Sequence, residues 1–336
     1  MKKVIFILLF IIPIGLLAQG YSTFQNGEIW NDTDGVSCYS SKNLYNWMNE
    51  GIALKVHDDT LSKLQKGCVI ERPKILYNKY TKKFVMWFHH ELKGKEYAAA
   101  LAGCAIADKI TGPYVYINSQ RPAAGIWPVG FSTSMKTDTT TVSSLKKNTK
   151  EYEEAVKGGL IVRSDFKGGQ MSRDMTLYLD DDNTAYLITA SEDNQTLHIH
   201  KLSKDFTNFT GTYYRVFPAG RNEAPAIFKK GDKYYMITSG LTGWKPNAAR
   251  SAVASSITGE WQSLGNPCRG TEEENNNTFW SQSTYVIPLN KKKVEYIFLA
   301  DRWNSENLYD SRYIWLPIEF EEGKPILKWN KSWRYG

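Results

Sequence analysis

Arg221-Asn-Glu-Ala-Pro-Ala-Ile-Phe-Lys-Lys-Gly-Asp-Lys-Tyr-Tyr-Met-Ile-Thr-Ser-Gly240 is the stretch that decides how this chain folds. A carboxylate, Glu223, stands ahead of a short apolar run, and a Lys-Gly-Asp-Lys turn and an aromatic-rich run follow. Two such runs around a Gly-bearing turn predict a hairpin with a polar head. The layout recurs behind Glu71, behind Asp174 and behind Gln282. The second half of the unit repeats as well. Ala105-Ile-Ala-Asp-Lys-Ile-Thr-Gly-Pro-Tyr114 matches Ala252-Val-Ala-Ser-Ser-Ile-Thr-Gly-Glu-Trp261, and Thr210-Gly-Thr-Tyr213 closes the unit between them. From head residue to Thr-Gly the distances are 40, 36 and 35 residues. A period of roughly 50 residues with four short strands per unit is that of a β-propeller blade. The spacing therefore predicts an all-β propeller whose head residues start the innermost strands and face one end of a shared channel.

Working outward, the chain opens with Lys2-Lys3, an apolar run from Val4 to Leu17 and the small residue Ala18. This pattern predicts a secretory signal peptide over residues 1–18, and the run is short for a membrane span. Residues 19–336 are then one propeller domain, periplasmic or secreted, with no membrane span after cleavage. Removing the two leader lysines takes the formal charge from +7 to +5. With no basic block beside it, that charge argues against nucleic acid as a partner. Cys38, Cys68, Cys104 and Cys268 lack metal-ligand spacing and are expected in the core, with room for one disulfide. Asp180-Asp-Asp-Asn183 occupies the place of the hairpin turns in the other units and is expected to be a turn rather than a calcium loop. Thr139 to Gly159 shows no strand pattern and is expected to be a surface insertion. One unit is short. Ser41-Lys-Asn-Leu-Tyr-Asn-Trp47 resembles Ser203-Lys-Asp-Phe-Thr-Asn-Phe209, which follows its head Asp174 by 29 residues; the same count back from Ser41 reaches Ile12, inside the leader. The first blade has no room for a full inner hairpin.

Two carboxylic acids in one aromatic pocket are the equipment of glycoside hydrolysis, one of them protonating the leaving oxygen. Glu223 and Asp174 are the natural pair, because a neighbouring carboxylate keeps the acid protonated by disfavouring a second charge. Arg173 is placed to hold one of the two ionised. One such acid alone reads as a strand cap; three at equivalent positions of a repeat read as a site. Aromatic faces pack on pyranose rings, and Trp244 in Gly243-Trp-Lys-Pro-Asn247 and Trp303 in Asp301-Arg302-Trp303 are the expected ligand-facing tryptophans.

Six stretches, Glu71-Arg-Pro73, Gly168-Gly-Gln-Met-Ser-Arg-Asp-Met175, Asn222-Glu-Ala-Pro225, Thr242-Gly-Trp-Lys-Pro-Asn-Ala-Ala-Arg250, Ser281-Gln-Ser283 and Ala300-Asp-Arg-Trp303, together resemble glycoside hydrolase family 43, in the branch of exo-β-1,3-galactanases. The resemblance covers nearly all of residues 19–336. It implies a five-bladed propeller, here with an incomplete first blade, that releases galactose with inversion from the non-reducing end of a β-1,3-galactan. Carried over residue by residue, Glu223 falls on the general acid, Asp174 on the partner that raises its pKa, and Gln282 on the glutamine that positions water. Glu71 falls on a substrate-binding carboxylate, and Arg173, Trp244, Asp301, Arg302 and Trp303 complete the expected binding set. No cofactor is required, no catalytic metal is implied, and a structural calcium ion sits in the channel of some relatives. The expected partner is a β-galactan and the expected state a monomer. The same residues leave two alternatives, a non-catalytic carbohydrate-binding propeller and a family 43 arabinosidase or xylosidase.

Overall fold

The structure is a computed structural model that describes residues 35–333, apart from 43, 244, 290–294 and 304–311. The expected leader, residues 1–18, lies outside the described residues, as does Trp244.

Nineteen described strands form five sheets. The first is a pair, β1 (Gly35–Ser41) with β2 (Trp47–Lys55). The second runs β3 (Val69–Asn78), β4 (Lys83–Glu91), β5 (Leu101–Ala107), β6 (Val115–Gln120). The third runs β7 (Met175–Leu179), β8 (Ala185–Ser191), β9 (Thr196–Leu202), β10 (Phe209–Val216), and the fourth β11 (Glu223–Lys230), β12 (Lys233–Ser239), β13 (Arg250–Ala254), β14 (Gln262–Gly265). The last runs β16 (Gln282–Pro288), β17 (Tyr296–Arg302), β18 (Arg312–Glu321), β19 (Lys324–Lys328), with the two-residue β15 (Cys268–Arg269) added in parallel to β19. This is an all-β, propeller-like fold. The opening strands β3, β7, β11 and β16 touch one another in turn around an axis. Four sheets are full blades among the described residues, not five, and the pair β1–β2 stands where the sequence left space for only part of one.

That pair is sandwiched. Val36, Cys38, Ala53 and Leu54 pack with Met86, Phe88 and Ala105 of the second sheet, while Leu44 and Trp47 pack with Ile287, Leu299 and Trp315 of the last. Every residue of β1 is buried. The four cysteines are free and buried, so they serve as core residues and form no disulfide. The acidic Asp180-Asp-Asp-Asn183 stretch is a β7–β8 turn, with Asn183 donating its backbone N–H to the Asp180 carbonyl (2.9 Å).

The insertion after β6 departs from the expected irregular loop. It forms short helices, α1 (Thr133–Thr137), α2 (Lys150–Lys157) and α3 (Leu160–Ser164). The Thr149 hydroxyl caps α2 by accepting the Tyr152 N–H, Glu151 and Glu153 sit in its first turn, and Lys157 in its last, which suits the helix dipole. Tyr152 and Val156 face inward, and Arg215 of β10 donates to the carbonyls of Val156 (2.6 Å) and Lys157 (2.9 Å), closing the C-terminal end.

Close packing makes the inner strands sensitive to volume. A Cβ on Gly103 would lie 2.2 Å from the ring of Phe88, itself fully buried. Gly103→Ala should lower stability by about 1–3 kcal/mol, the usual cost of overpacking; a denaturant midpoint equal to wild type would contradict this packing.

Candidate active site

The head residues project from a repeated backbone device. In β3–β4 and β11–β12 the pairing register shifts just after the head, between Glu71 and Lys74 and between Glu223 and Ala226. The residue after each head is left-handed, Arg72 at φ 50 and Ala224 at φ 49, and a proline follows, Pro73 or Pro225. A bulge is where a strand tolerates proline, and it re-aims the neighbouring side chain. Gln282 opens β16 opposite Asp301, with a shift between Ser283 and Tyr285. Asp174 stands one residue before β7, its carbonyl accepting the Ala190 N–H (2.8 Å).

Two of these heads, Asp174 and Gln282, meet at the guanidinium of Arg72. Its Nε donates to Asp174 Oδ1 (3.1 Å) and its Nη1 to the carbonyl of Ser283 (3.3 Å). The remaining contacts are with the Asp301 carboxylate and with Gln282 Oε1. The other Asp174 oxygen accepts the backbone N–H of Ala224 (3.1 Å), next to Glu223. Gln282 Nε2 donates to Ser239 Oγ (2.9 Å), and Ser239 pairs with Glu223 across β11–β12. Glu71, Asp174, Glu223, Gln282 and Asp301, spread over 231 positions of sequence, thus share one end of the axis.

Glu223 is buried, 7% exposed. Burial and then the charge of Asp174 push its carboxyl up to about 8, against the opposing pull of Arg72 and Arg173. A carboxyl so placed keeps its proton near neutral pH. Glu71 is held on both oxygens: Tyr97 Oη donates to Oε1 (2.9 Å) and His89 Nδ1 lies 2.8 Å from Oε2. The other ring nitrogen of His89 lies 2.8 Å from Glu91 Oε1, and Glu91 in turn accepts the backbone N–H groups of Ala99 (2.9 Å) and Ala100 (3.0 Å). Burial alone would lower the His89 pKa, but its bonds to the two carboxylates carry it to about 9. Lys74 is pulled down to about 7 by burial and by the charge of Arg72.

Of the other expected residues, Arg173 donates to the Tyr97 carbonyl (3.0 Å) and faces Asp193 (3.5 Å), flanking Glu71 through Tyr97. Asp301 joins the Arg72 cluster directly. Arg302 does not: its guanidinium donates to the Phe279 carbonyl (2.6 Å) and lies over the Trp329 ring (5.4 Å). Trp303 follows on and is half-buried. Sequence reasoning missed the part played by Arg72, Tyr97 and His89. Arg72 was visible only inside Glu71-Arg-Pro73, while nothing in the sequence marked Tyr97 or His89. Trp87, one of several tryptophans near the hairpins, is a core residue whose indole donates to the Phe206 carbonyl (2.8 Å).

A cavity of about 530 Å³ opens in the fourth sheet, lined among others by Asn222, Thr238, Gly240, Thr242, Asn247 and Arg250 but not by Glu223. Its walls come from the β12–β13 side and not from the Arg72 cluster. Among the described residues no group of three or more His, Cys, Asp or Glu is arranged to hold a metal ion, and no helix is long and apolar enough to cross a membrane.

Residues 131–311 match the family model described as Glycosyl hydrolases family 43. No curated protein sequence matches the chain. Among solved structures it is similar to a GH43 β-1,3-galactosidase with galactodeoxynojirimycin, at 48% identity and TM-score 0.87, covering 90% of this chain and 87% of that one. It is similar to an exo-β-1,3-galactanase from Clostridium thermocellum at 30% identity and TM-score 0.70, covering 92% of this chain and 57% of that one. An exo-β-1,3-galactanase from Phanerochaete chrysosporium with β-1,3-galactotriose follows at 29% identity and TM-score 0.67, covering 88% and 56%. The chain thus spans a little over half the length of these last two.

A raised pKa is also a statement about stability. From about pH 4.5 to about 8 the folded protein keeps a proton on Glu223 that the unfolded chain has released, so stability falls as pH rises through that window. Glu223→Gln removes this slope, whereas His89 contributes a slope of the same sign to both proteins. Melting curves should show the variant gaining more over wild type at pH 9 than at pH 5; an equal difference at both would contradict the protonated carboxyl.

Proposed function

The chain belongs to glycoside hydrolase family 43, and from that premise we propose that it is an exo-acting, inverting glycosidase that releases galactose from the non-reducing end of β-1,3-galactan. The single observation that carries the reading is Glu223, a buried carboxyl raised to about 8 beside Asp174, on the rim of a cluster that draws one polar group from each full sheet. The solved structures that resemble it are named for β-1,3-galactose linkages.

In this reading the Glu223 carboxyl gives its proton to the glycosidic oxygen as the bond from that oxygen to the sugar carbon breaks. Asp174, fixed by Arg72 and by the Ala224 N–H, keeps Glu223 protonated before the transfer. A water attacks the opposite face of the sugar. Gln282 has its nitrogen committed to Ser239 and one lone pair of its oxygen committed to Arg72, so the second lone pair is free to orient that water. A neutral amide orients water without deprotonating it, and the proton passes to solvent. Glu71, with Tyr97 and His89 each holding one oxygen, offers its remaining lone pairs to sugar hydroxyls. Arg173, Asp301, Trp303 and Trp244 form the rest of the binding set we propose, while Arg302, also expected there from the sequence, holds the Phe279 carbonyl instead. No cofactor is required. We take β1–β2 as the remnant of a fifth blade, the first in the chain, and residues 19–336 as one monomeric domain exported after removal of a leader over residues 1–18.

One observation favours a second reading. Among the described residues the first sheet has two strands where the others have four or five, and a propeller short of an inner hairpin suits a carbohydrate-binding protein without turnover. Galactose release from β-1,3-galactan, measured beside calorimetry, separates the two: binding without release by wild type would end the enzyme reading.

Glu223→Gln should abolish hydrolysis while sparing affinity, and unchanged activity would remove Glu223 from the acid role. In wild type the rate should fall on the alkaline side near pH 8, where Glu223 loses its proton. Asp174→Asn takes away the like charge, so the remaining activity should show this alkaline limb at lower pH. An unmoved limb would mean that Asp174 does not set the acid.

A further inference from the structure

Just before Gln282 the backbone does something costly. Thr278, Phe279 and Trp280 are all left-handed, at φ 49, 54 and 57, a run of three non-glycine residues in a region that L side chains avoid. Such strain persists only where the surroundings over-determine it, and it gathers at ligand clamps. The surroundings here are explicit. Thr278 Oγ1 donates to the Asn247 carbonyl (2.6 Å), Ser281 Oγ to the Thr278 carbonyl (2.6 Å), and the Arg302 guanidinium to the Phe279 carbonyl (2.6 Å). The Phe279 ring packs against Trp329 (5.8 Å between centroids). Thr278, Phe279 and Ser281 are buried at 2%, 1% and 2%, yet Trp280 between them is 42% exposed. The turn anchors its neighbours and leaves one indole outside.

The position of that indole has a use. Two residues of chain span at most about 7 Å, so the Trp280 backbone lies within one sugar length of Gln282. On its other side the turn is bonded through Thr278 to Asn247, which shares a cavity wall with Asn222, the residue before Glu223. The general acid faces the leaving oxygen, so the sugar units beyond the cleaved bond lie on the Glu223 side.

We propose that Trp280 is a stacking platform for the galactose unit on the leaving side of the cleaved bond, making the protein select chains of β-galactan over single galactosides. This rests on the glycosidase reading above. The indole face meets the apolar face of the pyranose while the hydroxyls stay at the wet rim. The strain keeps the ring in place before substrate arrives, so little ordering accompanies binding.

The test compares wild type with Trp280→Gly and Trp280→Phe on two substrates, β-1,3-galactotriose and β-D-galactosyl fluoride, whose leaving group has no ring. Glycine adopts φ near 57 without strain, so Trp280→Gly should melt at or above the wild-type temperature. It should lose about tenfold in kcat/KM on galactotriose, the scale of one aromatic contact, and stay within twofold of wild type on the fluoride. Trp280→Phe should recover most of the loss. Equal losses on both substrates, or no loss on galactotriose, would overturn the role of Trp280 and leave the glycosidase reading standing. Wild type that releases galactose from neither substrate and does not bind galactotriose by calorimetry would overturn both.

Discussion

The guanidinium of Arg72 is the constraint around which the site is assembled. It lies at the axis with little solvent, its side chain 13% exposed, and a buried charge without partners is strongly destabilising. Its partners come from other sheets: Asp174 ahead of β7, Gln282 and Ser283 in β16, and Asp301 in β17. Satisfying one arginine therefore brings three sheets into register. The same charge also reaches Glu223. Asp174 pushes that carboxyl up and Arg72 pulls it down, so the balance between them, on top of burial, decides whether Glu223 holds its proton. Structure and chemistry hang on one side chain here.

A second network stiffens the other side of the site. Glu71 is held by His89, His89 by Glu91, and Glu91 by two backbone amides. A histidine between two buried carboxylates favours its charged form, so the chain of groups alternates in sign and every buried charge is paired. Tyr97 closes the loop through its bond to Glu71, and Arg173 reaches the Tyr97 carbonyl. The consequence for ligand binding is preorganisation: Glu71 cannot swing away from the axis when the site is empty.

How much of this could be read beforehand follows from what repeats. Glu71, Asp174, Glu223 and Gln282 recur at one place in a unit, and the geometry of a hairpin wound around an axis makes that recurrence visible in one dimension. Arg72 has no counterpart, since Met175, Ala224 and Ser283 follow the other heads, so periodicity cannot single it out. Tyr97 and His89 act through pairings across a sheet or a loop that only three dimensions reveal. The helix α2 is a different case. Its cap and charge pattern were present in the sequence, but eight residues are too few to stand alone in water. It holds through Tyr152, Val156 and the Arg215 cap on its last carbonyls, which are tertiary facts. Arg302 was expected at the ligand because it adjoins Asp301, yet alternation along β17 sends the two side chains to opposite faces, and Arg302 supports the Trp280 turn instead.

The short first sheet bears on whether the site can work. A ring with a gap would leave the flanking sheets with exposed apolar faces and unpaired edges. β1 answers part of that problem, since all seven of its residues are buried and its hairpin touches the sheets on both sides. β2 lies outside it, largely exposed. The ring is thus closed by packing at a place where the described residues form two strands and not a full blade. More to the point, every group bonded to Arg72 and every group holding Glu71 belongs to a full sheet or to the segments leading into one. Arg72, Asp174, Glu223 and Gln282 need β3, β7, β11 and β16, and all four are present. The two described strands of the first sheet therefore bear on the wall beside the axis and not on the groups fixed to Arg72.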